Sequence, residues 1–481
     1  MNKYKIVITT LFLICCIVIQ SAMAQKTDKL VRYGATLVEK RQDADMKKFR
    51  SNRFGQFIHW GLYSIPAGCW NGKIYYGASE FLMRSANISP QIWEKLKEQF
   101  NPTLFDGEKW AKMAKEMGVK YATLTTKHHE GFCLWPSQYT DFDVENTPCQ
   151  KDLVGEFIKA YNREGIDVYL YYSILDWHHP DWKYNLVSKE DSVAFNRYKL
   201  YVRNQLVELL QRYPTIKGFW FDGTWDKSWQ QNGVFSYELE QELKKIHPGL
   251  IVNSRMRADE YGARHFDSNG WMMGDYESGY ERRLPESTDL IVTTRDWEAC
   301  MTIHETSWGY HADREKQHIK RPDELIEMLA KTVSLGGNFL LNFSPLADGT
   351  YCKREREIAQ SIGKWMKING SAIYNCDYAK LKKQDWGYYT RGIGSNKINM
   401  IVCNIPISKR LKIVLPKELR IASKVSYKQG SELVVEQLNN STYEILLGDN
   451  DLKQEMPFVL EFEVETSKNE KDKFIEVSAL I

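Results

Sequence analysis

Residues 153–173, LVGEFIKAYNREGIDVYLYYS, hold one unit of a repeating plan. Leu153–Arg163 reads as an amphipathic helix, and Val168–Ser173 as a short β-rich run after a Gly-containing turn. The same alternation continues in both directions from about residue 50 to 345. Further strands are expected at Phe54–His59, Tyr121–Thr126, Phe219–Asp222, Leu250–Ser254, Trp271–Asp275, Leu290–Trp297 and Asn338–Phe343. Helical stretches fall at Gln91–Phe100, Glu108–Met117, Phe195–Tyr213, Tyr237–His247 and Pro322–Leu335. In the second of these, Trp110, Met113, Ala114 and Met117 recur at helical spacing, the apolar stripe of a helix laid on a sheet. Eight strands with intervening helices over roughly 300 residues predict an α/β, (β/α)8-type barrel, distorted between strands five and seven, where the helices are weakly marked.

The pattern changes after a helix near Glu355–Ile368. Tyr388–Thr390, Ile398–Cys403, Leu411–Val414, Val425–Tyr427, Leu433–Leu438, Tyr443–Leu447 and Phe458–Val464 are short runs split by Gly, Asn, Asp and Lys turns. They predict a C-terminal antiparallel β-sandwich. The expected organisation is therefore 1–24 signal peptide, 25–365 barrel and 366–481 β domain. The signal is Lys3 and Lys5 ahead of an apolar run, Ile6–Ile19, with Ser21-Ala22-Met23-Ala24 as the cleavage region. A run of about 14 apolar residues falls short of the ~20 that span a bilayer, so export, most simply to a periplasm, is expected rather than membrane insertion.

The chain has 481 residues, 43% hydrophobic and 26% charged, with a formal charge of +3. Near-neutral charge without a basic stripe argues against a nucleic-acid partner. Two of the nine cysteines lie in the signal; the other seven are scattered, with no CxxC pair to suggest zinc or redox chemistry. His128-His129 and His178-His179 lack metal-ligand spacing, and neighbouring side chains on a strand point to opposite faces. No metal or cofactor is expected.

In a barrel of this kind, chemistry sits at the C-terminal ends of the strands. Here those ends read FIHWG, TTKHHEGF, YYSILDWHHP, GFWFDGTW, VNSR, GDYESGYE and RDWEAC. Asp222 is the sharpest of these residues. It ends the apolar run GFWF and precedes Gly223, and a carboxylate closing a buried strand is costly unless it is paired or used. A retaining glycosidase needs such a nucleophile, with a second carboxyl ~5 Å away as acid and then base.

The segments RFGQFIHWG, YATLTTKHHEGFCLW, DVYLYYSILDWHHP, GFWFDGTW, GDYESGYERRLP and WEACMTI resemble, in order, those of glycoside hydrolase family 29, the α-L-fucosidases. The resemblance implies a retaining, exo-acting enzyme that removes terminal α-L-fucose from fucosylated oligosaccharides or glycoconjugates. It implies Asp222 as nucleophile and His59, Glu80, Phe81, His128, His129, Tyr171, Trp220 and Arg255 as substrate-binding residues. Phe81 stands where many relatives have Trp beside that Glu, and Trp308 is a second candidate for the aromatic that flanks the sugar's methyl group. The acid/base is expected at Glu281 in GYERRLP, with Glu298 in DWEAC, expected at the end of strand seven, as rival and Glu277 third. Two alternatives stand beside this reading: a non-catalytic fucose-binding relative, and a glycosidase for a similar sugar such as α-L-galactose.

Overall fold

The computed structural model describes residues 40–257, 273–313, 317–428 and 430–466. Residues 1–24, expected as a signal peptide, and the charged tail after Thr466 lie outside these residues. Eight parallel strands form the central sheet: β1 (Phe54–Ile58), β2 (Tyr121–Lys127), β3 (Asp167–Ser173), β4 (Gly218–Asp222), β5 (Ile251–Val252), β6 (Glu277–Glu281), β7 (Trp297–Thr302) and β8 (Asn338–Phe343). They run in the order β5-β4-β3-β2-β1-β8-β7-β6. The two outer strands meet just beyond β5, through a parallel bridge between Asn253 and Tyr276. Backbone bonds of 2.7 Å from Asp275 to Val252 and 2.9 Å from Ser254 to Tyr276 complete the closure.

The helices have local causes. α1 (Gly107–Met117) begins at Asp106, whose carboxylate accepts from the Lys109 N–H, and stops at Gly118 in the left-handed conformation. α2 (Leu153–Arg163) is capped by Asp152, and α3 (Lys189–Arg212) by a Ser188–Asp191 capping box. Along β3 the alternation of side chains divides the wall. Val168, Leu170 and Tyr172 join the core under the helices, whereas Tyr169 and Tyr171 point into the barrel with Phe57, Tyr121, Trp220, Tyr276 and Trp308. Each such aromatic, fully removed from water, contributes roughly 1.5–3 kcal/mol before entropy is counted. An aromatic column thus fills the barrel beneath the site.

Two expected strands fall elsewhere. The sixth strand was expected at Trp271–Asp275; of that span, Met273–Asp275 are not strand, residues 271–272 are outside the described set, and the strand is Glu277–Glu281. The sequence ESGYE carries no apolar alternation, so it gave no β signal. The expected seventh strand, Leu290–Trp297, is instead a five-residue helix, Leu290–Thr294, followed by β7. Asp289 caps that turn by accepting from the Ile291 N–H, and Ile291 and Val292 pack against Tyr280, Trp297 and Leu335. Capping and burial here outweigh the β preference of a β-branched run. One consequence is that Glu298 lies near the start of its strand, not at the end.

The last long helix, Lys353–Asn369, leads to antiparallel strands that begin at Cys376. Their larger sheet runs through Gly387–Gly392, Lys397–Val402, Phe458–Thr466 and Val425–Tyr427, and a three-stranded sheet is built from Arg410–Val414, Thr442–Leu446 and Val435–Asn439. Trp386, Tyr389, Met400, Leu411, Ile413, Ile445 and Phe462 fill the space between. All seven cysteines among the described residues are free thiols.

Candidate active site

The C-terminal ends of the strands converge on two carboxylates and one guanidinium. Asp222 is the last residue of β4, Glu281 the last of β6, and Arg255 lies three residues beyond β5. Arg255 Nη1 donates to Asp222 Oδ1 at 2.9 Å, and Nη2 donates to Glu281 Oε2 at 2.8 Å. Two hydrogen bonds and one guanidinium span at most ~8 Å, which keeps the pair within the ~5–9.5 Å over which glycosidase carboxyls cooperate. Arg255 is fixed further by its bonds to the Ser278 carbonyl and by lying over the Trp220 ring, 4.6 Å from its centroid. Burial opposes its charge, but Asp222 and Glu281 more than offset this and raise its pKa. Tyr171 Oη donates to Asp222 Oδ2 at 3.2 Å, so Asp222 is oriented from two sides.

The three histidines of the site, His59, His128 and His129, are neutral. Burial first lowers His59 and His129 each to about 3; His128 adds to this at His59, and His59, Arg255 and Lys127 add to it at His129. Their tautomers follow from their partners. Ser173 Oγ donates to the Leu175 carbonyl, so it accepts from His129 Nδ1 at 2.6 Å. His129 Nε2 is then left as an acceptor, 3.7 Å from Asp222 Oδ2. Asn342 Nδ2 donates to the Trp308 carbonyl, and its Oδ1 accepts from His59 Nδ1 at 2.7 Å. His59 Nε2 is likewise an acceptor. His128 lies parallel to Tyr171, with centroids 5.4 Å apart, and its buried Nδ1 has no hydrogen-bond partner among the described residues.

Glu80, 1% exposed, adds a further acceptor, held by the N–H groups of Trp308 and Gly309 and by Ser307 Oγ. Burial raises its pKa. Phe81 meets His129 and Trp177 edge-on at 5.4 and 5.2 Å, and the half-exposed Trp225 meets the same His129 at 5.2 Å. Trp308 packs on the other side, 5.0 Å from His59. Lone pairs from His59, His129 and Glu80 facing aromatic edges suit a ligand rich in donating hydroxyls and bearing one apolar face.

Of the expected residues, the structure gathers Asp222, Glu281, Arg255, Tyr171, Trp220, His59, His128, His129, Glu80 and Phe81 around one site. Glu298 is not among them: it lies 1% exposed inside the barrel, bonded to Tyr121 and Trp220. Glu277 is buried at the start of β6, accepting from Ser254 Oγ and the Gly279 N–H. Asn342, Ser173 and Trp177, which orient or flank the histidines, had not been singled out. Asn342 lies one residue before the C-terminal end of β8, a position at which a polar residue could have been flagged. Among the described residues, no group of three or more His, Cys, Asp or Glu is placed to hold a metal ion.

The sequence profile described as Alpha-L-fucosidase matches residues 18–371. The chain belongs to the α-L-fucosidase family. It is a glycoside hydrolase similar to a family 29 α-L-fucosidase from Bacteroides thetaiotaomicron, with 52% identity, a TM-score of 0.86, and coverage of 92% of this chain and 99% of that one. A further structure of that bacterial enzyme, also 52% identical with a TM-score of 0.86 over 90% of this chain and 99% of that one, is a covalent intermediate trapped with 2-fluoro-fucosyl fluoride on a Glu-to-Gln variant. The human tissue α-L-fucosidase is 32% identical over 341 residues, 68% of each chain.

Proposed function

We propose that the chain removes terminal α-L-fucose by double displacement, with Asp222 as nucleophile and Glu281 as acid and then base. The observation that carries these roles is the guanidinium of Arg255 shared between the two carboxylates at the ends of β4 and β6. In the first step, a carboxylate oxygen of Asp222 attacks the anomeric carbon as the bond to the leaving oxygen breaks. Glu281 Oε2 is occupied by Arg255, so the proton passed to the leaving oxygen comes from Oε1. Tyr171 and Arg255 donate to Asp222 and keep it aimed. In the second step, Glu281 takes a proton from water, whose oxygen attacks the same carbon and releases Asp222. Two inversions give net retention.

The neutral Nε2 atoms of His59 and His129, with Glu80, accept from the sugar's hydroxyls, and Phe81 with its aromatic neighbours receives the methyl group. That apolar contact favours a 6-deoxy sugar over α-L-galactose, whose extra hydroxyl would be buried there without a partner. The N-terminal sequence supports export, and N-terminal sequencing of the mature protein from a periplasmic fraction tests it, with Gln25 expected as the first residue.

The decisive experiment is Asp222→Gly with azide. The variant should lose turnover of an aryl α-L-fucoside, and azide should restore it with fucosyl azide as product. Unchanged turnover in the variant would remove Asp222 from the reaction.

A further inference from the structure

A carboxyl that takes no part in these proton transfers lies under the site. Glu298 is the second residue of β7, ~13 Å along the strand below its C-terminal end. Its Oε1 accepts from Trp220 Nε1 at 2.9 Å and its Oε2 from Tyr121 Oη at 2.7 Å. Among the described residues no cation pairs with it directly. Tyr169 on β3, Tyr276 just before β6 and Cys300 two residues along its own strand interact with it, as does Arg255, which lies over the Trp220 ring. An apolar side chain would fill this space without the penalty of desolvating a carboxyl. What a carboxyl adds is an acceptor aimed at one N–H.

That N–H belongs to the residue on which the site is built. Trp220 stacks on Tyr171, with centroids 5.5 Å apart at 17°, and carries Arg255 on its ring. Tyr171 and Arg255 are the two groups that donate to Asp222. We infer that Glu298 is a positioning residue of the fucosidase reaction: by fixing the Trp220 indole it holds Arg255 and Tyr171 against Asp222, and it does not donate a proton to the leaving group. The inference rests on the reading of Glu281 as acid/base.

The anchor works in both protonation states. Burial raises Glu298 to about 7, so neutral and ionised forms coexist near neutrality. Indole N–H only donates, whereas a phenol donates or accepts. A proton on Oε2 therefore turns the Tyr121 bond around and leaves the Trp220 bond intact. Glutamine does the same, with its carbonyl on Trp220 and its amide N–H on Tyr121.

The test compares Glu298→Gln, Glu298→Ala, Trp220→Phe and Glu281→Ala on aryl α-L-fucosides with good and poor leaving groups. Glu298→Gln should stay within about fivefold of the parent. Glu298→Ala should lose about 10- to 100-fold in kcat by the same factor for every leaving group, without rescue by azide. Trp220→Phe should lose a similar factor, and adding Glu298→Ala to it should cost little more. If the alanine variant does not fold, an active Glu298→Gln beside an impaired Trp220→Phe supports the role, and the reverse overturns it. A glutamine variant as impaired as alanine, with losses independent of the leaving group, overturns the positioning role alone. If losses in Glu298→Ala grow as the leaving group worsens and those in Glu281→Ala do not, the assignment of the acid/base falls as well.

Discussion

Replacing Arg255 by lysine keeps the charge and removes the fork. In the parent, separate nitrogens of one planar group reach Asp222 at 2.9 Å and Glu281 at 2.8 Å, and the Ser278 carbonyl accepts as well. A single ammonium on a shorter stem engages one carboxylate well and releases the other. A hydrogen bond to a charged group is worth about 1.5–3 kcal/mol. Converted at about 1.4 kcal/mol per tenfold, Arg255→Lys should lower kcat/KM about 10- to 150-fold. Arg255→Met, which loses both bonds and leaves two carboxylates facing each other, should lower it about 100- to 20,000-fold. The assay is kcat/KM for an aryl α-L-fucoside, with thermal melting run in parallel to confirm folding. A well-folded lysine variant within about twofold of the parent would refute the claim that the bridge organises the pair.

Stability should peak at mildly acidic pH. Between 6.5 and about 3 the unfolded chain holds protons on His59 and His129 that the folded chain lacks, so stability falls as pH drops. Glu130 and Glu298, raised by burial to about 8 and about 7, keep protons in the folded state above 4.5, so stability falls as pH rises. Each group contributes up to about 1.4 kcal/mol per pH unit, and the two pairs offset one another between 4.5 and 6.5. Denaturation midpoints measured from pH 3 to 9 check this, and a midpoint still climbing from 6.5 to 8 counts against it. Gly223→Ala should lower the melting temperature by several degrees and reduce kcat at least tenfold. Gly223 has φ +78°, and an added Cβ would stand 2.6 Å from Leu175 Cβ, one residue from Asp222. A variant with parental melting and turnover would show that this turn is not constrained.

Asp222 was legible because its chemistry contrasts with its setting: GFWF is a buried strand, and an acid at its end needs an explanation. The barrel was legible where strands are apolar on both faces, as β3 and β8 are. It was not legible at β6, where ESGYE lines the site and polar residues replace the β pattern. Glu281 could be named from its motif, but its place at the end of a strand could not. Glu298 was misplaced for the related reason that a β-branched run imitated a strand starting seven residues before the real one began. Asn342 and Ser173 carry no charge and stand in ordinary strand sequence; their work, choosing the tautomers of His59 and His129, exists only once the chain has brought them together.

The wall of the barrel is thinnest where β5 contributes two residues and a single bridge joins it to the segment before β6. Glu281 stands on one lip of that joint and Arg255 on the other, so the ion pair between them, with the arginine's grip on the Ser278 carbonyl, joins the bonds of Asn253 and Ser254 to Ser278 in suturing the lips together. Any widening of the gap draws Glu281 away from Asp222. The spacing on which the two-step chemistry depends is thus set by mechanics as much as by charge.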